Sequence, residues 1–138
     1  VMDLYSRKIV AWTLSKTLEA KYVVETVRKA IVSTGSRPKV IHSDRGSQYT
    51  SIEYKRITNG IERSYSKKSY PWDNACIESF HSLIKREWLN RYKISDYRHA
   101  YRLVFEYIDA FYNTQRIHSH CNYKTPMEHE RAYYERTA

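Results

Sequence analysis

Asp44 and Glu78, with 33 residues between them, are the acids in this sequence best placed to do chemistry. Asp44 opens the string Asp44-Arg45-Gly46-Ser47 directly after an apolar run, and Glu78 lies near the start of a helical pattern. A strand-end aspartate facing a helix glutamate offers oxygen ligands of the kind a hard divalent cation takes. Magnesium is the physical candidate. Phosphodiester chemistry needs an activated oxygen nucleophile and a neutralised leaving oxygen, which two metals about 4 Å apart supply together. Such a site normally takes a third carboxylate. Plainer readings stand beside this one, since an aspartate after a strand also forms turns and a helix glutamate is commonly just solvated.

The elements that would position the pair can be read from the hydrophobic pattern. Residues 1–14 predict a β-hairpin, with Val1 and Met2 ending one strand, Tyr5-Ser6-Arg7-Lys8 turning and Ile9 to Leu14 forming the next. From Thr17, a predicted N-cap, Val23, Val24, Val27, Ala30 and Ile31 recur at helical spacing until Gly35 and Pro38. Lys39 to Ser43 then reads as a strand. The order strand, helix, strand implies a parallel crossover and an α/β fold, with Asp44 at a strand's carboxyl end, where open sheets place ligands.

Ser51 to Asn59 predicts a short helix closed by Asn59-Gly60, Ile61 to Ser64 a strand, and residues 65–73 a mobile basic loop. Asp73 or Asn74 is placed to cap the next helix, whose stripe is Ile77, Phe80, Ile84 and Trp88. Glu78, His81 and Lys85 share a neighbouring face, which aims Glu78 along the edge of the buried stripe. A last long helix runs from a cap at Ser95 or Asp96 to about Asn113, with Tyr97, Ala100, Tyr101, Val104, Ile108 and Phe111 as its stripe. Beyond it lies Thr125-Pro126 and a charged, Tyr-bearing tail.

At 138 residues the chain has the length of one domain, and its net charge of +9 with pI near 9.5 suits a polyanionic partner. Residues 96–138 hold six basic and six acidic residues, so the whole excess lies in residues 1–95, with the candidate acids. No apolar run approaches a membrane span and no secretory signal is apparent, which predicts an intracellular protein without a membrane partner. Cys76 and Cys121 have no zinc or disulfide spacing and read as free thiols. The first residue is valine, and the sequence is expected to begin inside a longer reading frame.

The local strings carry a resemblance. His42-Ser43-Asp44-Arg45-Gly46-Ser47-Gln48-Tyr49, followed by Asp73-Asn74-Ala75-Cys76-Ile77-Glu78-Ser79-Phe80, closely resembles the transposases of IS3-like insertion sequences, DDE enzymes related to retroviral integrases. Asp3 to Val10, Tyr112-Asn113, Arg116-Ile117-His118 and Tyr123 to Pro126 match the same family in the same order. The resemblance covers nearly the whole chain.

It implies a ribonuclease H-like integrase core, N-terminally truncated with the first strand missing, and a C-terminal helical extension. Residues 1–95 would be the partial core and 96–138 its helix and tail. Asp44 and Glu78 would be catalytic, binding two Mg2+ ions (or Mn2+) with an aspartate from the missing strand, to drive cleavage and strand transfer of DNA. That aspartate belongs roughly twenty residues upstream of Asp3, given usual strand lengths. Asp3 itself matches a turn residue of the family and is assigned a structural role. The Asp44–Glu78 spacing is two residues shorter than the family's usual one, and losing two residues from a helix rotates the residues after them by about 200°.

Lys67, Lys68, Asn74, Lys85 and Arg86 are the expected DNA contacts, with Tyr70 and Trp72 packing against sugars or bases. Retroviral integrases also carry a lysine seven positions after their catalytic glutamate, which singles out Lys85. Solvated lysines and a packed Trp are the other reading of these residues. His42 and His81 flank the acids and read as packed neighbours rather than ligands. The expected partners are insertion-sequence ends and target DNA, with a homo-oligomer when intact, in the cytoplasm and on the nucleoid when DNA is bound. A ribonuclease H-like nuclease and a non-catalytic DNA-binding or oligomerising remnant are the alternatives.

Overall fold

The computed structural model describes residues 1–67 and 71–137, and the side chains of all of these except residues 71 and 72. They fall into two compact units: Val1 with Val10–Ala75, and Met2–Ile9 with Cys76–Ala138.

In the first unit, helix α1 spans Ala20–Thr34, strand β1 Val40–Ser43, helices α2 and α3 Ser47–Thr50 and Ile52–Ile57, and strand β2 Glu62–Tyr65. α1 buries Val27 and Ala30 and ends at Gly35, whose φ of 66° is the left-handed geometry that glycine takes without cost. The cap is not Thr17: its hydroxyl donates to the Glu19 carboxylate at 2.7 Å, and the helix starts after Glu19 with no side-chain cap. α3 carries a cap that the sequence reading did not name, with Ser51 Oγ accepting from the Tyr54 amide at 3.1 Å, and Gly60 closes the turn after it at φ 78°.

β1 and β2 pair in parallel from Val40 opposite Glu62 to Ser43 opposite Tyr65. The predicted crossover is therefore found one element later: β1 is joined to its parallel partner through α2 and α3. Among the described residues this sheet has two strands, and the hairpin of residues 1–14 reduces to one bridge, Met2 with Ile9. Tyr54, Thr58 and Ile61 are buried at the heart of this unit, with Tyr49 edge-on to Tyr54 at 5.5 Å.

The 3-10 turn Pro71–Asn74 leads into α4, Ala75–Glu87. Of the two expected caps, Asp73 does not serve α4: its Oδ2 instead accepts from the Lys67 amide at 2.9 Å. α4 buries Phe80 and Ile84 as the stripe predicts, each worth about 1.5–3 kcal/mol of burial.

In the second unit, α5 runs Tyr97–Phe105 from the Asp96 cap, whose Oδ1 accepts from the His99 amide at 2.8 Å. It passes without a break into a π-helix, Glu106–Tyr112. The wider turn brings residues five apart onto one face, so Tyr107 and Tyr112 are both buried with Leu103 and Ile108. Tyr97 and Tyr101, which the α period places in the buried stripe, are exposed. Helix α6, Pro126–Thr137, opens on a capping box: Thr125 Oγ1 accepts from the Glu128 amide at 3.2 Å and Glu128 Oε2 from the Thr125 amide at 2.9 Å. No helix among the described residues is long and apolar enough to cross a membrane.

Candidate active site

Asp44 is the first residue after β1 and is exposed. Its Oδ1 accepts from the Gly46 amide at 2.7 Å, which sets the turn and leaves the carboxylate at the strand's carboxyl end. Next to it, Arg45 Nε donates to the Ser66 carbonyl at 3.1 Å, tying this turn to the residue after β2. The turn-forming and ligand readings of Asp44 are thus compatible, since one bond to an amide still leaves acceptor capacity on the carboxylate. Burial, and after it the Asp44 charge, push the Tyr49 hydroxyl's pKa up.

His42 is drawn away from any ligand role. Its Nδ1 lies 2.9 Å from Ser64 Oγ and its Nε2 3.1 Å from Ser66 Oγ, so both ring nitrogens are engaged across the two strands. Asp3 is likewise used locally: its Oδ2 accepts from the Ser6 amide at 2.7 Å and the Ser6 hydroxyl at 2.5 Å.

Glu78 stands in the first turn of α4 and is exposed; His81, Lys85 and Arg86 on the same helix are exposed too. Lys67 is exposed and Asn74 half-buried in the turn before α4. Lys68 and Tyr70 lie outside the described residues, as does the side chain of Trp72. Asp44 belongs to the first unit and Glu78 to the second. Each is an exposed carboxylate of the chemistry a hard divalent cation takes, and in that respect they fit Mg2+. Among the described residues, no group of three His, Cys, Asp or Glu side chains is gathered to hold an ion.

The sequence motifs outside the acids acquire physical roles in the second unit. Arg116 binds Glu87, the last residue of α4, through Nη2 to Oε1 at 2.7 Å and Nε to Oε2 at 2.8 Å, and the Tyr107 hydroxyl donates to Oε2 at 2.7 Å. Hydrogen bonding from Arg116 holds the Glu87 carboxyl below its usual pKa. Asn113 is buried, and its amide accepts from the Ile9 N–H at 2.9 Å and donates to the Ile9 carbonyl at 3.0 Å, as a neighbouring strand would. Lys8 pairs with Glu130 at 2.6 Å, and Cys121 Sγ donates to the Ser6 carbonyl at 3.3 Å. The hairpin turn, the end of the π-helix and the tail are therefore one hydrogen-bonded assembly. His118, His120 and Cys121 belong to it: burial first, then the Arg116 charge, lowers the His118 pKa to about 4, and Cys121 is fully buried. Spacing alone assigns none of these contacts; the buried Asn113 and the Arg116–Glu87 pair join residues far apart in sequence.

Two integrase core domain families match the chain, one over residues 1–71 and the other over residues 59–126. The chain belongs to the integrase core domain family, whose fold is of the ribonuclease H-like α/β class. It is similar to the transposase for insertion sequence element IS904 of Lactococcus lactis, with 38% identity over 133 residues, 94% of this chain and 53% of that protein. It is also similar to the transposase InsF for insertion sequence IS3A of Escherichia coli, 32% identical over 134 residues, 94% of this chain and 46% of that one. A 31 kDa protein of insertion element IS600 from Shigella sonnei is 32% identical over 141 residues, 100% of this chain and 52% of its own length. The chain spans about half the length of the curated relatives it matches.

Proposed function

We propose that these residues form part of the catalytic core of a DDE transposase that cuts and joins DNA, with Asp44 and Glu78 as two of its metal-binding carboxylates. The observation that carries the reading is Asp44 at the carboxyl end of parallel strand β1, in a chain of the integrase core family that also exposes Glu78 in the first turn of α4. Bound Mg2+ ions, two in the complete site, would activate the attacking oxygen and neutralise the leaving one. Asp44 and Glu78 supply oxygen ligands. Lys85 and Arg86, on the helix of Glu78, hold the phosphate backbone together with Lys67, Lys68 and Asn74, and Tyr70 packs on the DNA. The substrates are insertion-sequence ends and target DNA, and the working enzyme is a homo-oligomer.

Residues 1–95 carry the catalytic half and 96–138 the helix and tail that brace it. Support comes from the charge excess in residues 1–95 and from the Arg116–Glu87 pair, which joins the tail to α4.

On this reading Asp3 is not the family's third carboxylate: it matches a turn residue of the family, and its Oδ2 holds the Ser6 amide and hydroxyl. The spacing of 33 residues between the acids, two fewer than the family's usual one, is a second departure from the catalytic pattern. A chain of these residues alone therefore binds DNA as a non-catalytic remnant of the core. The test is incubation of the purified chain with labelled insertion-sequence ends and Mg2+ or Mn2+. Binding without cleavage is expected; cleavage abolished by Asp44→Asn would overturn the inactivity while supporting the metal assignment. Supplying a 3′-hydroxyl end and target DNA to any active form separates strand transfer from simple nuclease action.

A further inference from the structure

Arg7 has φ 63°, left-handed backbone that glycine and asparagine reach readily and arginine does not. If the turn were the only requirement, a smaller residue would serve it better, so the side chain is where a use should be sought. Its Nη1 lies 2.7 Å from Cys76 Sγ, in the first turn of α4, and its Nη2 lies 3.4 Å from His120 Nδ1 in the tail. The Arg7 amide also donates to the Asp3 carbonyl at 2.9 Å, so the backbone that aims the guanidinium is itself fixed. Among the described residues, this is the only side-chain hydrogen bond that reaches residues 75–78. Asp73, one of the two expected caps, is bound to Lys67 instead. Helix ends fray unless tied, and a ligand side chain must be held to within about 0.5 Å to be productive.

We propose that Arg7 is a positioning residue for Glu78: it pins the first turn of α4 through Cys76 and is backed by His120. The proposal rests on the reading of Glu78 as a metal ligand. Arg116 fixes the other end of the same helix at Glu87, so the two arginines hold α4 at both ends. Arg7 touches no reacting atom and acts only through Cys76.

The test exploits the backbone. Arg7→Gly removes the left-handed cost, so a residue serving only the turn would leave the melting temperature equal or higher and α4 unaltered. The positioning role predicts instead that the amides of Ser79, Phe80 and His81, which report the first turn, exchange roughly tenfold faster while those of Lys85 to Glu87 do not change. Mn2+ broadening of the Glu78 resonances should weaken in parallel. Cys76→Val should reproduce both effects, and Cys76→Ser, which keeps an acceptor, should restore them. Unchanged exchange in both Arg7→Gly and Cys76→Val would overturn the proposal. Failure of the metal reading is distinguishable: Glu78→Gln would then leave every Mn2+ effect in place whatever Arg7 does to exchange.

Discussion

Arg116 holds both carboxylate oxygens of Glu87, at 2.7 and 2.8 Å, and so fastens the tail to the last residue of the helix that carries Glu78. A planar fork meeting a carboxylate with two parallel bonds fixes orientation as well as distance. Arg116→Lys should therefore destabilise the chain although the charge is kept. About 2 kcal/mol is expected, in the range for hydrogen bonds to charged groups, with the partial exposure of the pair reducing its Coulombic share. Urea denaturation at pH 7 measures it, and a loss below a few tenths would show that the pair does not bear on stability.

The same pair sets an acid limit. Arg116 holds the Glu87 carboxyl below its ordinary value, so its folded pKa is depressed. Stabilisation is present above the unfolded value and is lost as pH falls through the folded one. Stability measured from pH 6 to pH 3 should fall more steeply in the native chain than in Arg116→Ala.

His118 acts in an adjoining window. Its pKa is pushed down to about 4 from 6.5, first by burial and then by Arg116, so the unfolded chain takes up the proton first. Stability is full above pH 6.5 and declines as pH falls toward 4. His118→Phe keeps a ring against Tyr112, 4.8 Å away in the native chain, and removes the titration. A flatter stability profile between pH 6.5 and 4 is expected; an unchanged slope would place the titrating group elsewhere.

Asn113 does for Ile9 what a neighbouring strand would do, with one bond accepted and one donated. Asn113→Ala leaves a buried N–H and carbonyl unpaired and should cost about 2–3 kcal/mol, measured as a shift in denaturation midpoint. Asn113→Asp, which loses the donor and adds a charge, should cost at least as much.

How much of this was legible in the sequence depends on range. The helix ending at Gly35, the short helix before Asn59-Gly60, strand β1 and the Phe80–Ile84 stripe are local signals, and they form where propensity and period put them. The stripe read from the sequence is set on the wrong face of α5: Tyr97 and Tyr101 are exposed ahead of the π-helix, and the buried residues are Leu103, Tyr107, Ile108 and Tyr112. Thr17 and Asp73 have the right chemistry for caps but closer competitors for their hydrogen bonds. The acids were legible as types and spacing; the work of Arg7, Asn113 and Arg116 was not, because their partners lie tens of residues away.

Lys85 shares its helix with Glu78 and is exposed. If it contacts a phosphate, Lys85→Ala should weaken binding to insertion-sequence ends and reduce the slope of log K against log salt by about one. An unchanged slope would make it a solvated lysine.

Divalent-metal binding by Asp44 and Glu78 is the claim on which the proposed function stands. The most direct measurement is an Mn2+ titration of the isotope-labelled chain followed by paramagnetic broadening, which reports weak binding without requiring turnover. Resonances of Asp44, Gly46 and Glu78 should broaden first, with Asp44→Asn and Glu78→Gln each weakening the effect. Broadening confined to other residues, or indifferent to both substitutions, would contradict metal binding by this pair.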